Sequence, residues 1–458
     1  MRKLFTILLA LLMLCNTFYY SFAYSEAEEE LGNVRYPDEV SSEMTDSEYW
    51  TNLRNSPNEV LLSLEDISRI NSEIVANGSV NHVVDLENVT EIVDEGIEVF
   101  DRELYVNGVI IDEKELIKEL EKSVETLPEF LYAVTVKRAN LRTWPVKEFL
   151  GYTEIDPDDE LQNSVIEINS PVIISKKSTF HNHTFYFCQT EFLTSWIDSD
   201  ELAICKDKEE WVNAWKIDTL ANDFLVVLED KIILEPMLYE PEISEVELGL
   251  GSRLKLVPES EIPESVGERE GTFFNYVVYV PTRNENGKYV RKVALIPERY
   301  NVSIGFLPFT ESNLTSVAFE LLGNRYSWGG TMKSYDSSLF NRQVYSCFGL
   351  RIPTNTTWQK SLEGYAVDIS EMTEEEKLEY IKNIPIGSLL YIPGCSMQYI
   401  GCIDDMPYVI SSIGVFSTSK GELNIRRYYT VSVLPMSSRK KSGETFLKEL
   451  SHVLNFCR

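Results

Sequence analysis

Histidine is the scarcest residue with catalytic or metal-binding chemistry, with four in 458 positions: His82, His181, His183 and His452. That leaves few places for a base that works near neutral pH. His181 and His183 alone stand at a spacing where both could touch a metal, but a solvated loop is the simpler reading, so no metal or cofactor site is expected. Basic residues are also in deficit, 42 Lys and Arg against 73 Asp and Glu, giving a formal charge of -31. So acidic a surface repels nucleic acid and anionic membranes, and suits solubility outside the cell or a cationic partner. A regular cysteine framework is missing too. Beyond Cys15, the irregularly spaced Cys188, Cys205, Cys347, Cys395, Cys402 and Cys457 fix no disulfide pairing, and buried free thiols are the simplest expectation.

The N-terminal apolar run, Leu4 to Leu14 behind Arg2 and Lys3, is broken by Asn16 and Thr17. It falls short of the ~20 residues that span a bilayer. A signal peptide over residues 1–23 is predicted, cut after Ala23, with small residues at Ser21 and Ala23. An uncleaved anchor is the alternative. Cys15 follows Leu12, Met13 and Leu14 rather than a small residue, so lipidation is not expected. Secretion to the periplasm or cell envelope follows, with no membrane attachment after cleavage.

The length suggests three or four domains. Residues 24–45 are acidic and poor in apolar side chains, which predicts a flexible leader. Residues 46–130 read as a small helical domain: Ile67, Ile70, Ile74 and Val75 share one face, as do Leu116, Ile117, Leu120 and Val124, with a tight turn at Asn107-Gly108. Near residue 131 the period becomes alternating, in Tyr132, Val134 and Val136. Strand-like runs then continue through two sets, 131–211 and 212–308, that predict small barrels with a soft mutual boundary. Residues 309–458 mix periods. Helical stripes close at Gly323 and Gly349, and strands follow at Ser388 to Ile392, Ser396 to Ile400 and Tyr408 to Ile410, so this part reads as α+β.

Leu322-Gly323-Asn324-Arg325-Tyr326-Ser327-Trp328-Gly329-Gly330, followed by Asp336-Ser337-Ser338, resembles the signature of the NlpC-type cell-wall cysteine peptidases, which are papain-like. In that signature Tyr-x-Trp-Gly-Gly precedes Asp-Cys-Ser. Cys347 to Pro353 with Gln359, Gly387 to Gly394, Met397, Tyr399 and Gly401, and Tyr408 to Gly414 keep the family's order, so the match covers residues 311 to about 455. Upstream, Arg138-Ala139-Asn140-Leu141-Arg142 with Pro145 is similar to the start of the bacterial SH3 domains that accompany these peptidases. Gly305-Phe306-Leu307-Pro308 is similar to their exit. The helical segment looks like the family's N-terminal stabilising region. The resemblance thus implies an α+β multidomain chain: a helical domain, two SH3-like β-barrels and a C-terminal peptidase-like domain.

The resemblance also says what is lost. A family enzyme sets a Cys at the start of a helix, where the helix dipole and an imidazolium hold a thiolate, and a third polar residue orients the His. The corresponding catalytic positions here are Ser337, Cys395 and Ser411, all substituted. If the register is right, Ser337 begins a helix, Cys395 begins a strand facing it, and Ser411 lies on the neighbouring strand in one cleft. Tyr326, Asp336 and Ser338 are retained; in family members that trim free-amine muropeptides, the equivalent residues help hold the terminal ammonium. Two explanations stay open. Either these three bind substrate, or they are structural, with Tyr326 and Trp328 filling the core and Asp336 capping the helix. The expected function is therefore a secreted, cell-wall-associated relative of the γ-D-glutamyl-L-diamino acid endopeptidases, inactive and binding peptidoglycan stem peptides or another wall component. The alternatives are an active hydrolase using divergent residues and a structural envelope protein.

Overall fold

A computed structural model describes residues 36–78, 82–93, 96–418 and 423–457. The expected signal peptide and the first part of the leader lie outside the described residues. The end of the leader is held in place: the Tyr408 hydroxyl donates to Glu39 O at 2.9 Å, Trp50 Nε1 donates to Met44 O at 2.8 Å, and Val40 is buried.

The segment read as helical divides between two cores. Helix α1 (Leu64–Ala76) opens on a capping box in which Ser63 and Asp66 satisfy each other's amides, and its stripe Ile67, Ile70 and Ile74 packs into the same cluster as Leu314 and Phe348 of the C-terminal part. Helix α2 (Glu113–Ser123), capped by Asp112, turns Ile117 and Leu120 towards Trp144, Leu150 and Leu161 instead. Between them Tyr105–Val106 pairs with Val109–Ile110 through Asn107-Gly108, both at positive φ, as a tight hairpin turn requires. Strand begins at Val124, seven residues before the alternation becomes visible, because Val124 to Thr126 pair across to Lys176–Ser178 before the ladder breaks and resumes at Leu131.

Seven strands follow: β1 (Val124–Thr135), β2 (Ala139–Arg142), β3 (Gln162–Ile166), β4 (Pro171–Phe180), β5 (His183–Gln189), β6 (Thr194–Asp198) and β7 (Leu202–Ile204). They form one antiparallel sheet in the order β7-β1-β4-β5-β6-β2-β3, whose edges β7 and β3 do not pair. In the next set β8 (Phe224–Val227) lies between β9 (Arg253–Lys255) and β12 (Val302–Ile304), beside a hairpin of β10 (Asn275–Arg283) and β11 (Tyr289–Pro297). Among the described residues neither ladder closes into a barrel by hydrogen bonds.

The C-terminal part begins with α3 (Glu311–Phe319) and α4 (Ser337–Ser346) and continues into a six-stranded antiparallel sheet. Its strands β13 (Ala366–Asp368), β14 (Leu389–Ile392), β15 (Cys395–Ile403), β16 (Met406–Phe416), β17 (Arg426–Pro435) and β18 (His452–Leu454) run in the order β13-β18-β14-β15-β16-β17. Mixed helix and sheet is thus the architecture. Helix α4 is buried from Ser337 to Tyr345, its polar residues included. Asn341 donates to Ser396 Oγ at 2.9 Å, and Gln343 donates to Glu167 Oε1 at 2.8 Å and to Leu250 O at 3.2 Å. One helix therefore touches the C-terminal sheet and both upstream strand sets, with Asn341 and Gln343 donating across those junctions.

Among the described residues no helix is long and apolar enough to cross a membrane. The six cysteines from Cys188 to Cys457 are unpaired.

Candidate functional site

The Trp328-Gly329-Gly330 turn fixes the entrance to α4. Gly329 and Gly330 adopt φ of 58° and 77°, and a β-carbon on Gly329 would stand 2.4 Å from the Gln162 carbonyl oxygen. Glycine is therefore needed twice over, for the left-handed backbone and for the close approach to β3. Trp328 itself is 47% exposed, so it does not fill the core.

Asp336 is the N-cap of α4. Its Oδ1 accepts from Leu339 N at 2.8 Å and from the Ser338 hydroxyl at 2.8 Å, and its Oδ2 accepts from Gly329 N at 3.1 Å. Burial raises its pKa, and these donors pull the other way. Asp336 and Ser338 thus spend their polar atoms on the cap and the turn.

Ser337 is the first residue of α4, Cys395 the first of β15, and Ser411 lies in β16. The three side chains meet. Ser337 Oγ accepts from Ser396 N at 3.2 Å, Cys395 Sγ lies 3.7 Å from Ser411 Oγ, and the Ser411 hydroxyl donates to Ser396 O at 2.9 Å. All three are buried, and burial raises the Cys395 pKa against the opposing pull of the Lys440 ammonium. A thiol so placed stays protonated, and a serine hydroxyl without a base is a poor nucleophile.

A cavity of about 380 Å³ opens over this cluster, lined by Ser337, Cys395, Tyr326, Tyr429, Asp158 and Lys440, among others. No histidine lines it. His82 stacks on Trp358, His181 on Phe180, and His452 Nδ1 is 3.0 Å from its neighbour's hydroxyl, Ser451 Oγ. His181 lies in the turn before β5 and His183 begins that strand; among the described residues no group of three His, Cys, Asp or Glu could hold a metal ion.

Of the three retained residues, Tyr326 faces the cavity, with its ring against Gly414, where a β-carbon would come within 3.1 Å. Burial, then the Asp336 and Asp158 carboxylates, raise its pKa far above the usual phenol value. Asp158 is an acid that lines the cavity. Its Oδ1 is buried without a hydrogen-bond partner among the described residues, and its pKa is raised by burial and by Asp156, against a Trp328 amide that favours the charged form. Asp158 comes from the loop before β3, in the run Asp156-Pro157-Asp158-Asp159-Glu160. That run is an acidic loop by composition, and only the docking of the first sheet on α4 turns it into a cavity wall.

No protein-family profile matches the sequence, and no curated protein does. The structure is similar to that of an NlpC/P60 endopeptidase from Photobacterium damselae subsp. piscicida, with a TM-score of 0.68 and 14% identity over 93% of this chain and 99% of that one. An NlpC/P60 family protein from Bacillus cereus overlaps with a TM-score of 0.45 and 16% identity, over 71% of this chain and 100% of that one. The first likeness is one of fold and extends over the whole architecture.

Proposed function

We propose that this protein is a secreted, catalytically inactive relative of the cell-wall endopeptidases that binds peptidoglycan stem peptides in the cleft between its first sheet and its C-terminal domain. The observation that carries the reading is a cavity kept open over a reaction centre that holds no imidazole, where Ser337 Oγ accepts an amide hydrogen and Cys395 is a buried thiol. The two strand sets act as SH3-like modules, a reading supported by the residues from Arg138 to Arg142, and the first of them supplies Asp158 to the ligand's terminal ammonium. Asp158 lines the cavity and so suits that role better than Asp336, whose oxygens are occupied by the cap and the turn.

A second reading, a Ser337 hydrolase with Lys440 as its base, draws on Lys440 lining the same cavity; no hydrogen bond joins the two side chains. The test is to incubate the mature chain with a muropeptide digest, follow release of product by mass spectrometry, and measure binding by calorimetry. Binding without release is expected. Release that disappears in Ser337→Ala would overturn the proposal in favour of the hydrolase, and neither binding nor release would leave the envelope-protein reading.

A further inference from the structure

The cavity is lined by charges of both signs, Asp158 acting on Tyr326 and Lys440 standing with Lys441. Among the described residues the other carboxylate lining it is Glu449, which accepts a hydrogen bond from Ser442. Neither lysine has a carboxylate within 4 Å of its ammonium among the described residues, although the chain carries 73 acids. Both lysines thus line the cavity outside any close ion pair, and Lys440 acts electrostatically on the Cys395 position. An uncut stem peptide presents a neutral amide there, which gains little from an ammonium, whereas a carboxylate gains a charge-assisted hydrogen bond.

We propose that the ligand is a cut fragment rather than an intact stem peptide: a free-ended, zwitterionic dipeptide whose ammonium meets Asp158 and whose newly formed carboxylate meets Lys440. The inference rests on the wall-peptide reading and adds the ligand's charge state. The cavity, about 380 Å³, lies at the small end of the ~300–1,000 Å³ usual for ligand sites, which suits a dipeptide. The fragment must come from another enzyme that hydrolyses the amide after the second residue, water adding across the C–N bond to give this carboxylate and a free amine. The protein then captures a product of wall turnover.

The probes are L-Ala-D-Glu, with its side-chain carboxylate free, and L-Ala-D-Gln, the same dipeptide with that group a neutral amide. Calorimetry on the full mature chain should show the acid binding at least tenfold more tightly. Lys440→Met should abolish the preference and Lys440→Arg should keep it, with thermal unfolding confirming that both variants are folded. Equal binding of the two probes, or a preference that survives Lys440→Met, overturns this inference and leaves the wall-peptide reading intact. Failure of both probes, together with failure of longer stem peptides, overturns that reading as well.

Discussion

The thiol of Cys395 lies 3.7 Å from the hydroxyl of Ser411, and Ser411 in turn donates to the carbonyl of Ser396, whose amide donates to Ser337 Oγ. Ser337, Cys395 and Ser411 are therefore joined, through hydroxyls, a thiol and the backbone, into one hydrogen-bonded cluster.

Chemistry should return only when two positions change together. Ser337→Cys puts a thiol at the start of a ten-residue helix, and Cys395→His gives it a base on the facing strand, with Ser411→His as a further orienting change. Either single substitution should leave muropeptides uncut. General acid–base catalysis contributes about 10²–10⁴-fold, so product release by the double variant should exceed that of either single variant by at least about a hundredfold. Mass spectrometry of timed digests measures it.

How far the site was legible follows from where its residues lie. Ser337, Cys395 and Ser411 could be placed from sequence because each sits in a run of fixed order, and local geometry then fixes their neighbours. Asp158, Tyr429, Lys440 and Lys441 could not, because they reach the cavity from an acidic loop, a strand and a basic loop whose sequences carry no motif. The helical reading of residues 46–130 failed at Val124 for a related reason. The i, i+4 match of Leu120 to Val124 is helical in period, yet Val124 is already paired with Ser178 in the first sheet. Likewise Arg342 and Gln343 are polar helix residues, and they are buried where α4 meets Val165 and Glu167 of the first strand set.

The turn before α4 should be intolerant of a side chain. Gly329→Ala meets both a φ of 58° and a backbone oxygen at 2.4 Å that has no flexible side chain to yield. We expect a loss of roughly 2–4 kcal/mol of stability. Gly364→Ala, at φ of 83° with nothing within 4 Å, is the control, with a loss of about 1 kcal/mol. Urea unfolding of the two variants gives the comparison.

Stability should fall with rising pH through the neutral range, in part because of Glu160. Burial, then Asp156, Asp158 and Asp159, raise its pKa from 4.5 to about 7. The folded state thus holds this proton more tightly than the unfolded chain, so the contribution is complete below the unfolded pKa and is lost as pH rises through about 7. Glu160→Gln stays neutral throughout. Its urea midpoint should fall less than that of the unaltered protein between pH 5 and pH 8, and identical slopes would show that Glu160 titrates normally.

Asp158 and Asp336 should separate binding from stability. Asp336 caps α4 and accepts from Leu339, Ser338 and Gly329, so Asp336→Asn sets a side-chain amide against one of these donors. A loss of about 1–2 kcal/mol of stability is expected, with little change in affinity. Asp158 has a buried Oδ1 without a partner among the described residues, and its burial disfavours the charged form. Asp158→Asn should leave stability unchanged or slightly raised, yet weaken an amine-terminal stem peptide by roughly ten- to a hundredfold, the equivalent of a charge-assisted hydrogen bond of about 1.5–3 kcal/mol. Acetylating the peptide's amine should cost the unaltered protein a similar amount. The two losses should not add, because each removes one half of the same pair. Calorimetry on both variants with both peptides, alongside urea unfolding, gives the full cycle. If Asp336→Asn abolished binding while leaving the unfolding midpoint unmoved, the ammonium would belong to Asp336, and the cap would be incidental.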